Sequence, residues 1–153
     1  MLAHGAVLRV HGHATESEDR VRQALALFAG EAEPTRGLAE GVYGNPIVVL
    51  EAKLDKRAAQ AMWERLRSHA ELAERLRTEA ARRIDERCQF FARFDKQRAF
   101  HGQAELTASD DAVHLRSKIA TFPTRQELAI RAVQDFLGAG PSEAAPEASS
   151  PKP

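Results

Sequence analysis

Residues 40–54 read EGVYGNPIVVLEAKL, and the interpretation of the chain starts from this stretch. Ile47 to Leu50 is a continuous β-branched and aliphatic run, after which polar and apolar residues alternate through Leu54. This pattern predicts a strand that is buried on both faces at its start and half solvated at its end. The preceding residues 41–46 include two glycines, an asparagine and a proline, which is typical of a tight turn. We therefore predict a β-hairpin, placed at the middle of a sheet that has helices on one face.

The composition indicates one domain with a substantial core. Hydrophobic residues make up 43% of the chain, and no apolar stretch reaches the length of a membrane span. The N-terminus lacks a secretory signal pattern, so we expect a cytoplasmic protein. A single cysteine, Cys88, excludes an internal disulfide and a cysteine-based zinc site. We expect one α+β domain over residues 1–138, followed by a disordered tail rich in Ala, Ser, Glu and Pro over residues 139–153.

The first half of the chain predicts three helices around the hairpin. Thr15 and Glu18 form a capping-box pattern, with Thr15 as the N-cap, before a helix that Gly30 ends. Asp55 is a candidate N-cap for a second helix. Ser68 separates that helix from a third one, whose many Glu and Arg residues are typical of a solvated surface.

The second half predicts three strands and a last helix. The strands cover residues 89–94, 104–107 and 113–121. Residues 95–102 interrupt the alternation and predict a turn or bulge. Thr124 and Glu127 form a second capping-box pattern before a helix that Gly138 ends. The predicted fold is therefore α+β, a mostly antiparallel sheet with helices packed on one face.

The sequence contains none of the common catalytic fingerprints: no Gly-rich phosphate loop, no nucleophile elbow and no His-Glu-x-x-His helix. We therefore expect a protein that is not an enzyme and that uses no metal and no cofactor. The nearest metal pattern is His11-Gly12-His13, which would need His114 as a further ligand. A metal-dependent hydrolase built on these three histidines is the least favoured of the functions considered.

Two predicted strands place basic side chains on a common face of the sheet. Alternation in residues 6–13 and in residues 113–121 separates basic from apolar positions. The basic positions are Arg9, His11, His13, His114, Arg116 and Lys118. If helices cover the apolar face, these groups share one open surface that suits phosphates and exposed base edges, although the chain as a whole has no net charge. A solvated outer face explains the same pattern equally well.

The Lys96-Gln97-Arg98 turn would add donor groups to this surface. Phe100 is either a stacking partner for a base or a core residue.

Four segments, taken together and in this order, point to a known family. They are His13-Ala14-Thr15-Glu16 before a helix, Gly44-Asn45-Pro46-Ile47 leading into a strand, Arg93-Phe94-Asp95-Lys96-Gln97, and a basic strand that ends in Phe122-Pro123. Over residues 6–137 the chain resembles the archaeal RNA-binding family described as a predicted exosome subunit or exosome-associated protein. The resemblance implies a fold like that of the ribosomal protein that contacts 5S ribosomal RNA. It also implies RNA binding without catalysis, an archaeal cytoplasmic setting, and a link to RNA processing or the ribosome.

We predict an RNA-binding domain that uses the sheet face, with the adjoining turns at its rim. The predicted RNA contacts are Arg9, His11, His13, Tyr43, Asn45, Lys96, Gln97, His114, Arg116 and Lys118. Gly44 and Asn45-Pro46 are also explained as residues that fix the hairpin turn. The alternative function is a protein–protein adaptor, in which the same sheet or the charged third helix docks on an exosomal or ribosomal partner.

Overall fold

The computed structural model describes residues 1–41 and 43–139, which form five β-strands and six α-helices. In chain order these are β1 (Ala3–Gly12), α1 (Glu18–Ala29), β2 (Thr35–Glu40), β3 (Pro46–Leu54), α2 (Lys56–Arg67), α3 (Ala70–Thr78), α4 (Ala80–Arg83), β4 (Gln89–Asp95), α5 (Lys96–Phe100), β5 (Ala112–Ile119) and α6 (Gln126–Gly138). The predicted α+β class is confirmed, and all four strand pairings are antiparallel. None of the described helices has both the length and the apolarity needed to cross a membrane. Val42 in the predicted turn and residues 140–153 of the predicted tail lie outside the described residues.

The predicted hairpin is present as the antiparallel pair β2–β3, and Gly44 in its turn has a φ of 79°. Its predicted position is wrong, because the strand order is β2-β3-β1-β5-β4 and β2 is an edge strand. The predicted burial on both faces at the start of β3 is also wrong, because Ile47 to Val49 are half-buried, whereas the predicted alternation of its second half is confirmed by the buried Leu50, Ala52 and Leu54. The reason is that α1 and α2 pack mainly across β1, while the start of β3 pairs with the exposed edge strand β2.

The core lies between the inner face of the sheet and the helices α1 and α2. The rings of Phe28 and Phe94 stack with 4.3 Å between their centroids, and Trp63 meets Phe90 edge-on at 4.8 Å. The hydroxyl of Ser117 is buried among them, where it accepts a hydrogen bond from Trp63 Nε1 at 3.0 Å and donates one to a carbonyl of β1. Because this polar group has both partners, it ties β5 to β1 and α2 without a desolvation penalty. The inner face that the sequence predicts for residues 113–119 is confirmed.

Two of the three predicted helix starts lie too early in the chain. Asp55 caps α2 as predicted, since its carboxylate accepts the hydrogen bond of a backbone N–H three residues later. The N-cap of α1, however, is Ser17 and not Thr15, and the N-cap of α6 is Arg125 and not Thr124. For α1 the physical reason is a turn over residues 13–16, which the N–H of residue 16 closes onto the carbonyl of residue 13 at 2.9 Å. The end of α1 at Gly30, which has a φ of 65°, is confirmed.

The segment that follows β4 is a helix where the sequence predicted a turn or bulge. Asp95 accepts a hydrogen bond from the backbone N–H of Arg98 at 2.8 Å and so caps the short helix α5. The predicted strand over residues 104–107 is reduced to a single bridge between Phe94 and Leu106. The predicted three-strand meander is therefore absent from the described chain, and β4 pairs directly with β5.

Candidate nucleic-acid interface

The outer face of the sheet, opposite α1 and α2, brings basic side chains into rows across the strands. Antiparallel register places Arg9 of β1 opposite His114 of β5, which in turn lies opposite Arg93 of β4. The next row contains Arg116, which lies between Val7 and Phe91, and the row after it contains Lys118. Side chains opposite each other on one face are close neighbours, so cations from three strands converge. The predicted shared face for Arg9, His114, Arg116 and Lys118 is present, and whether it binds RNA stays a prediction.

A groove of about 800 Å³ lies over β1, β5 and β4 on this face. Its floor is formed by the outer side chains of the three strands, and one wall is formed by α3 and α4 beside the outer edge of β4. We call this surface the arginine groove. Its ionisable lining residues are Arg9, Arg75, Arg82, Arg83, Arg93, Arg116, His11, His114 and Glu79. Six guanidinium groups against one carboxylate leave the described lining positive, although Glu51 and Asp110, which lie just outside it, pair with Arg9 and Arg93.

Glu79 organises the wall of the arginine groove. Its carboxylate lies 3.0 Å from Arg75, 3.3 Å from Arg82 and 2.7 Å from Arg83. The hydrogen bonds from Arg75 and Arg83 hold the pKa of Glu79 below its usual value. One carboxylate cannot neutralise three guanidinium groups, so the wall keeps a surplus of positive charge that is available to an anion.

The arginines of the floor differ in how far they are neutralised. Arg9 donates two hydrogen bonds to Glu51 on the neighbouring β3, and Arg93 pairs with the well-exposed Asp110 at 2.9 Å. Arg116 is exposed and forms neither a hydrogen bond nor an ion pair with any described residue. Arg116 is therefore the cation of the floor that is most available to a ligand.

The pKa of His11 reflects the electrostatic environment of the groove. Burial lowers the pKa of its imidazole, and the nearby charges of His114, Arg9, His13 and Lys96 lower it further. His11 is therefore neutral near pH 7, in surroundings that favour a negatively charged ligand.

Lys96 does not lie at the exposed rim where the sequence places it. Only 3% of its surface is exposed. Its ammonium group donates to the carbonyl oxygen of His11 at 2.9 Å, to Glu16 at 2.8 Å and to Asp111 at 2.6 Å. All three protons of the ammonium are donated to hydrogen bonds within the protein. The predicted rim position of Lys96 is therefore wrong, and its role is structural.

Several other predicted contact residues lie away from the arginine groove. Tyr43 and Asn45 are exposed near the tip of the β2–β3 hairpin, on the side of the sheet opposite β4. Gln97 is exposed on α5 and lines a separate cavity of about 430 Å³. His13 follows β1 and lies 3.3 Å from Asp111. The terminal nitrogen of Lys118 is directed to the carbonyl of residue 87.

The second interpretation of Phe100, as a core residue, is supported by its position. The ring is partly buried against the core, and the guanidinium of Arg20 lies 4.8 Å from its centroid.

The described residues also contain one group of side chains with the spacing of metal ligands. It consists of His13, Glu16 and Asp111, whose ligand atoms lie within 4.8 Å of one another. The Lys96 ammonium already binds both carboxylates, and a second cation there would be repelled. The set His11, His13 and His114, which the metal-dependent hydrolase would need, does not come together as a ligand group within the described chain.

Comparison with known proteins assigns the family. A family model described as RNA binding matches residues 6–119. The chain belongs to this RNA-binding family. A relative in the family is the RNA-binding protein PAB1135 of Pyrococcus abyssi, which is 34% identical over 88% of this chain and 94% of its own length.

The chain is also similar to further archaeal proteins. Mth689 of Methanothermobacter thermautotrophicus, a DUF54 protein of known structure, is 33% identical and superposes with a TM-score of 0.77 over 90% of this chain and 99% of its own. The uncharacterized protein MJ0213 of Methanocaldococcus jannaschii is 26% identical over 82% of this chain and 92% of its own length. The resemblance to an archaeal RNA-binding family is thus confirmed. The family and PAB1135 are both described as RNA-binding and not as enzymes, in agreement with the sequence.

Sequence reasoning missed six charged or aromatic members of the arginine groove. They are Arg75, Glu79, Arg82, Arg83, Phe91 and Arg93. The last two were within reach, because alternation in residues 89–94 puts Phe90, Ala92 and Phe94 inside and therefore Phe91 and Arg93 outside. No sequence pattern indicated that the three arginines of α3 and α4 belong to a site, since charged residues on a helix surface usually only face solvent.

Proposed function

We propose that this protein binds RNA, without catalysis, through the arginine groove and the cationic side chains beside it on the outer sheet face. The observation that carries the proposal is the convergence of six arginines, from three strands and the α3–α4 wall, on one concave surface with a single carboxylate in its described lining. Guanidinium groups bind phosphate oxygens in a bidentate manner and also stack on bases, so such a surface suits a polynucleotide. The predicted contacts Arg9, His11, His114 and Arg116 belong to it. Lys118 lies beside it, in the next row of the same face.

The cellular role that we propose follows from the resemblance of the sequence to the exosome-associated family. RNA binding would then serve RNA processing or the ribosome, in the cytoplasm of an archaeal cell. The membership of the chain in an RNA-binding family with archaeal relatives supports the RNA part of this proposal. The exosome and the ribosome are both proposed partners, and a pull-down from an archaeal lysate with and without nuclease would distinguish RNA-mediated from direct association.

The first test reverses charge on the outer face. The double variant Arg116→Glu, Lys118→Glu should weaken binding to structured RNA at least about tenfold, since each contact between a cation and a phosphate contributes on the order of 1 kcal/mol. It should also flatten the salt dependence, because each lost phosphate contact lowers the slope of log K against log salt by about 0.7–0.9. A mobility-shift or filter-binding assay at several salt concentrations measures both quantities.

The matched control is Lys56→Glu, Arg57→Glu, which reverses two exposed cations of α2, on the side of the sheet opposite the arginine groove. This variant should bind RNA within about twofold of the unaltered protein. Equal affinities for the double variant and the unaltered protein, with both folded by circular dichroism, would remove the groove as the binding surface.

The adaptor function is kept as a second candidate because of one observation at the other end of the sheet. All six residues of β2 are exposed, including Leu38 with 67% of its surface accessible, and no described strand pairs with the outer edge of β2. An unpaired edge strand can accept an added strand from a partner protein. Association with a partner that survives nuclease treatment and is lost in Leu38→Pro, but not in Arg116→Glu, would favour the adaptor.

A further inference from the structure

We propose that the arginine groove selects unpaired RNA by stacking a base on Phe91 while flanking phosphates bind Arg116 and the α3–α4 arginines. This inference rests on the proposed function, because it specifies which form of RNA the same surface binds. It is carried by an aromatic ring exposed at the centre of a cationic concavity.

Phe91 is the outward-facing aromatic residue of β4. Its neighbours along the strand, Phe90 and Phe94, are completely buried, whereas 44% of the surface of Phe91 is exposed. A singly exposed apolar side chain is common on protein surfaces, so the indication of a ligand comes from the position of this ring among the cations of the groove. Among the described residues, guanidinium groups lie over the rings of Phe100 and Phe136 and not over Phe91, which leaves this ring free to stack.

The cations around Phe91 are placed to bind a nucleic-acid backbone on both sides of a stacked base. Arg116 lies directly across from Phe91 on β5, and Arg83 donates a hydrogen bond to the Phe91 carbonyl at 3.3 Å. The wall therefore rises next to the ring, with the surplus charge of Arg75, Arg82 and Arg83 above it. A phosphate on either side of the base would meet Arg116 in one direction and the wall in the other.

The size and shape of the groove favour single-stranded over duplex RNA. Its volume of about 800 Å³ lies within the range of roughly 300–1,000 Å³ that is typical of small-molecule sites, so it admits nucleotide-sized groups. In a duplex the base faces are covered by their neighbours, and a side chain can stack only on a base that has left the helix. A ring on the floor of a walled groove is thus reached by loops, ends and single strands.

The test compares two RNA probes and three variants. The probes are a fluorescein-labelled single strand of about twelve nucleotides and a blunt duplex of the same sequence, measured by fluorescence anisotropy. Phe91→Leu keeps an apolar side chain but removes the aromatic face, and it should weaken single-strand binding about five- to tenfold, because stacking of one base on an aromatic ring accounts for at least this factor. Phe91→Trp should bind the single strand at least as tightly as the unaltered protein. The control is Phe122→Leu, a ring that is 99% exposed and lies outside the groove.

The tryptophan variant adds a direct readout of stacking. The chain has one native tryptophan, the fully buried Trp63, so a second one at position 91 reports on the groove. Quenching of its emission by the single strand, in excess of any quenching of the unaltered protein, supports stacking.

Two results overturn the inference while leaving the proposed function in place. One is single-strand affinity that is unchanged in Phe91→Leu while Arg116→Glu, Lys118→Glu still loses binding. The other is a preference of the unaltered protein for the duplex. If the unaltered protein binds structured RNA but neither probe, only the inference falls, and if it binds none of the three RNAs, the proposed function falls with it.

Discussion

The outer face of the sheet consists of two halves that share one platform but differ in chemistry. The β1–β5–β4 half presents arginines and histidines around Phe91 and is walled by α3 and α4. The outer positions of the β2–β3 half are Thr35, Gly37, Ala39, Ile47, Val49, Glu51 and Lys53, which are mainly small, apolar or of mixed charge. The boundary is the pair Arg9–Glu51, where the last cation of one half meets the carboxylate of the other at 2.6 Å.

This difference teaches that net charge is a poor guide to the chemistry of the surface. The chain has 22 basic and 22 acidic residues, which alone would argue against a partner that is a polyanion. The antiparallel register nevertheless gathers cations from sequence positions as distant as 9, 93 and 116 onto one half of one face. What matters for steering an anion is the local field in this groove and not the sum over the chain.

The largest effect that we predict separates a structural cation from those of the groove. Lys96→Met removes the ammonium that binds Glu16 and Asp111 and leaves the two carboxylates without their shared partner. Breaking a buried ion pair from one side costs about 3–5 kcal/mol, and the partial exposure of both carboxylates places this site near the lower end. Chemical denaturation should therefore show a loss of about 3 kcal/mol in the free energy of unfolding, whereas Lys56→Met on the exposed start of α2 should change it by less than about 0.5 kcal/mol.

The pH dependence of stability gives this prediction a second readout. Burial by itself raises the pKa of Asp111, but the hydrogen bonds and charges of Lys96 and His13 together outweigh burial, so the pKa lies below its usual value. A lowered carboxyl pKa stabilises the fold above the usual value, and this contribution is lost as pH falls through the lowered one. The acid limb of stability should be shallower in Lys96→Met. If that variant keeps full stability and loses RNA affinity instead, Lys96 belongs to the binding surface after all.

Features of this molecule that are determined by neighbouring residues in the chain could be predicted from the sequence, whereas features that depend on the tertiary fold could not. The strands and their inner and outer faces follow from alternation between neighbours, and this is why the faces of β1 and β5 were predicted correctly. The edge position of the hairpin was not, because strand order depends on pairings between β1, β3 and β5 that no local pattern encodes. Lys96 is buried only because acceptors from positions 11, 16 and 111 surround it, and this arrangement is created by the tertiary fold.

The same distinction between local and tertiary causes applies to the candidate site. The floor of the arginine groove was partly foreseen, since its residues lie on strands with clear alternation. Its wall was not foreseen, because the arginines of α3 and α4 become part of a site only when those helices lie beside β4. Their shared partner Glu79 is equally typical of a solvated helix when only the sequence is considered.

A smaller effect is expected in the other half of the face, at the hairpin. Gly44 has a φ of 79° and open space around the position of a Cβ, so Gly44→Val causes no collision but forces a branched residue into a left-handed conformation. Thermal or chemical denaturation should show a loss of about 1–2 kcal/mol. Gly37→Ala on the same hairpin, where a Cβ also meets nothing and the backbone is an ordinary strand, should cost less.

The RNA affinity of these hairpin variants tests the comparison between the two halves. Gly44→Val, and also Tyr43→Ala at an exposed position, should bind RNA within about twofold of the unaltered protein, because neither residue lines the arginine groove. A loss of more than about fivefold in Tyr43→Ala would extend the binding surface across both halves, as the sequence predicted.

The smallest effect concerns proton uptake in the cationic half. Burial, followed by the charges of His114, Arg9, His13 and Lys96, lowers the pKa of His11 in the free protein. A bound phosphate favours the imidazolium form of His11 and raises its pKa. RNA binding therefore takes up a proton, and the affinity increases as pH falls through the interval between the pKa of the free protein and that of the complex.

At constant ionic strength we expect binding to tighten about two- to threefold between pH 8 and pH 6, and His11→Gln should remove the part of this increase that is due to His11. His114→Gln, which alters the other imidazole that lines the arginine groove, is measured beside it as a control. An affinity that is independent of pH, or a dependence that His11→Gln leaves intact, would show that the bound phosphates lie too far from His11 to change its ionisation. The free protein should show the opposite trend, since a histidine with a lowered pKa destabilises the fold as pH falls below the usual value.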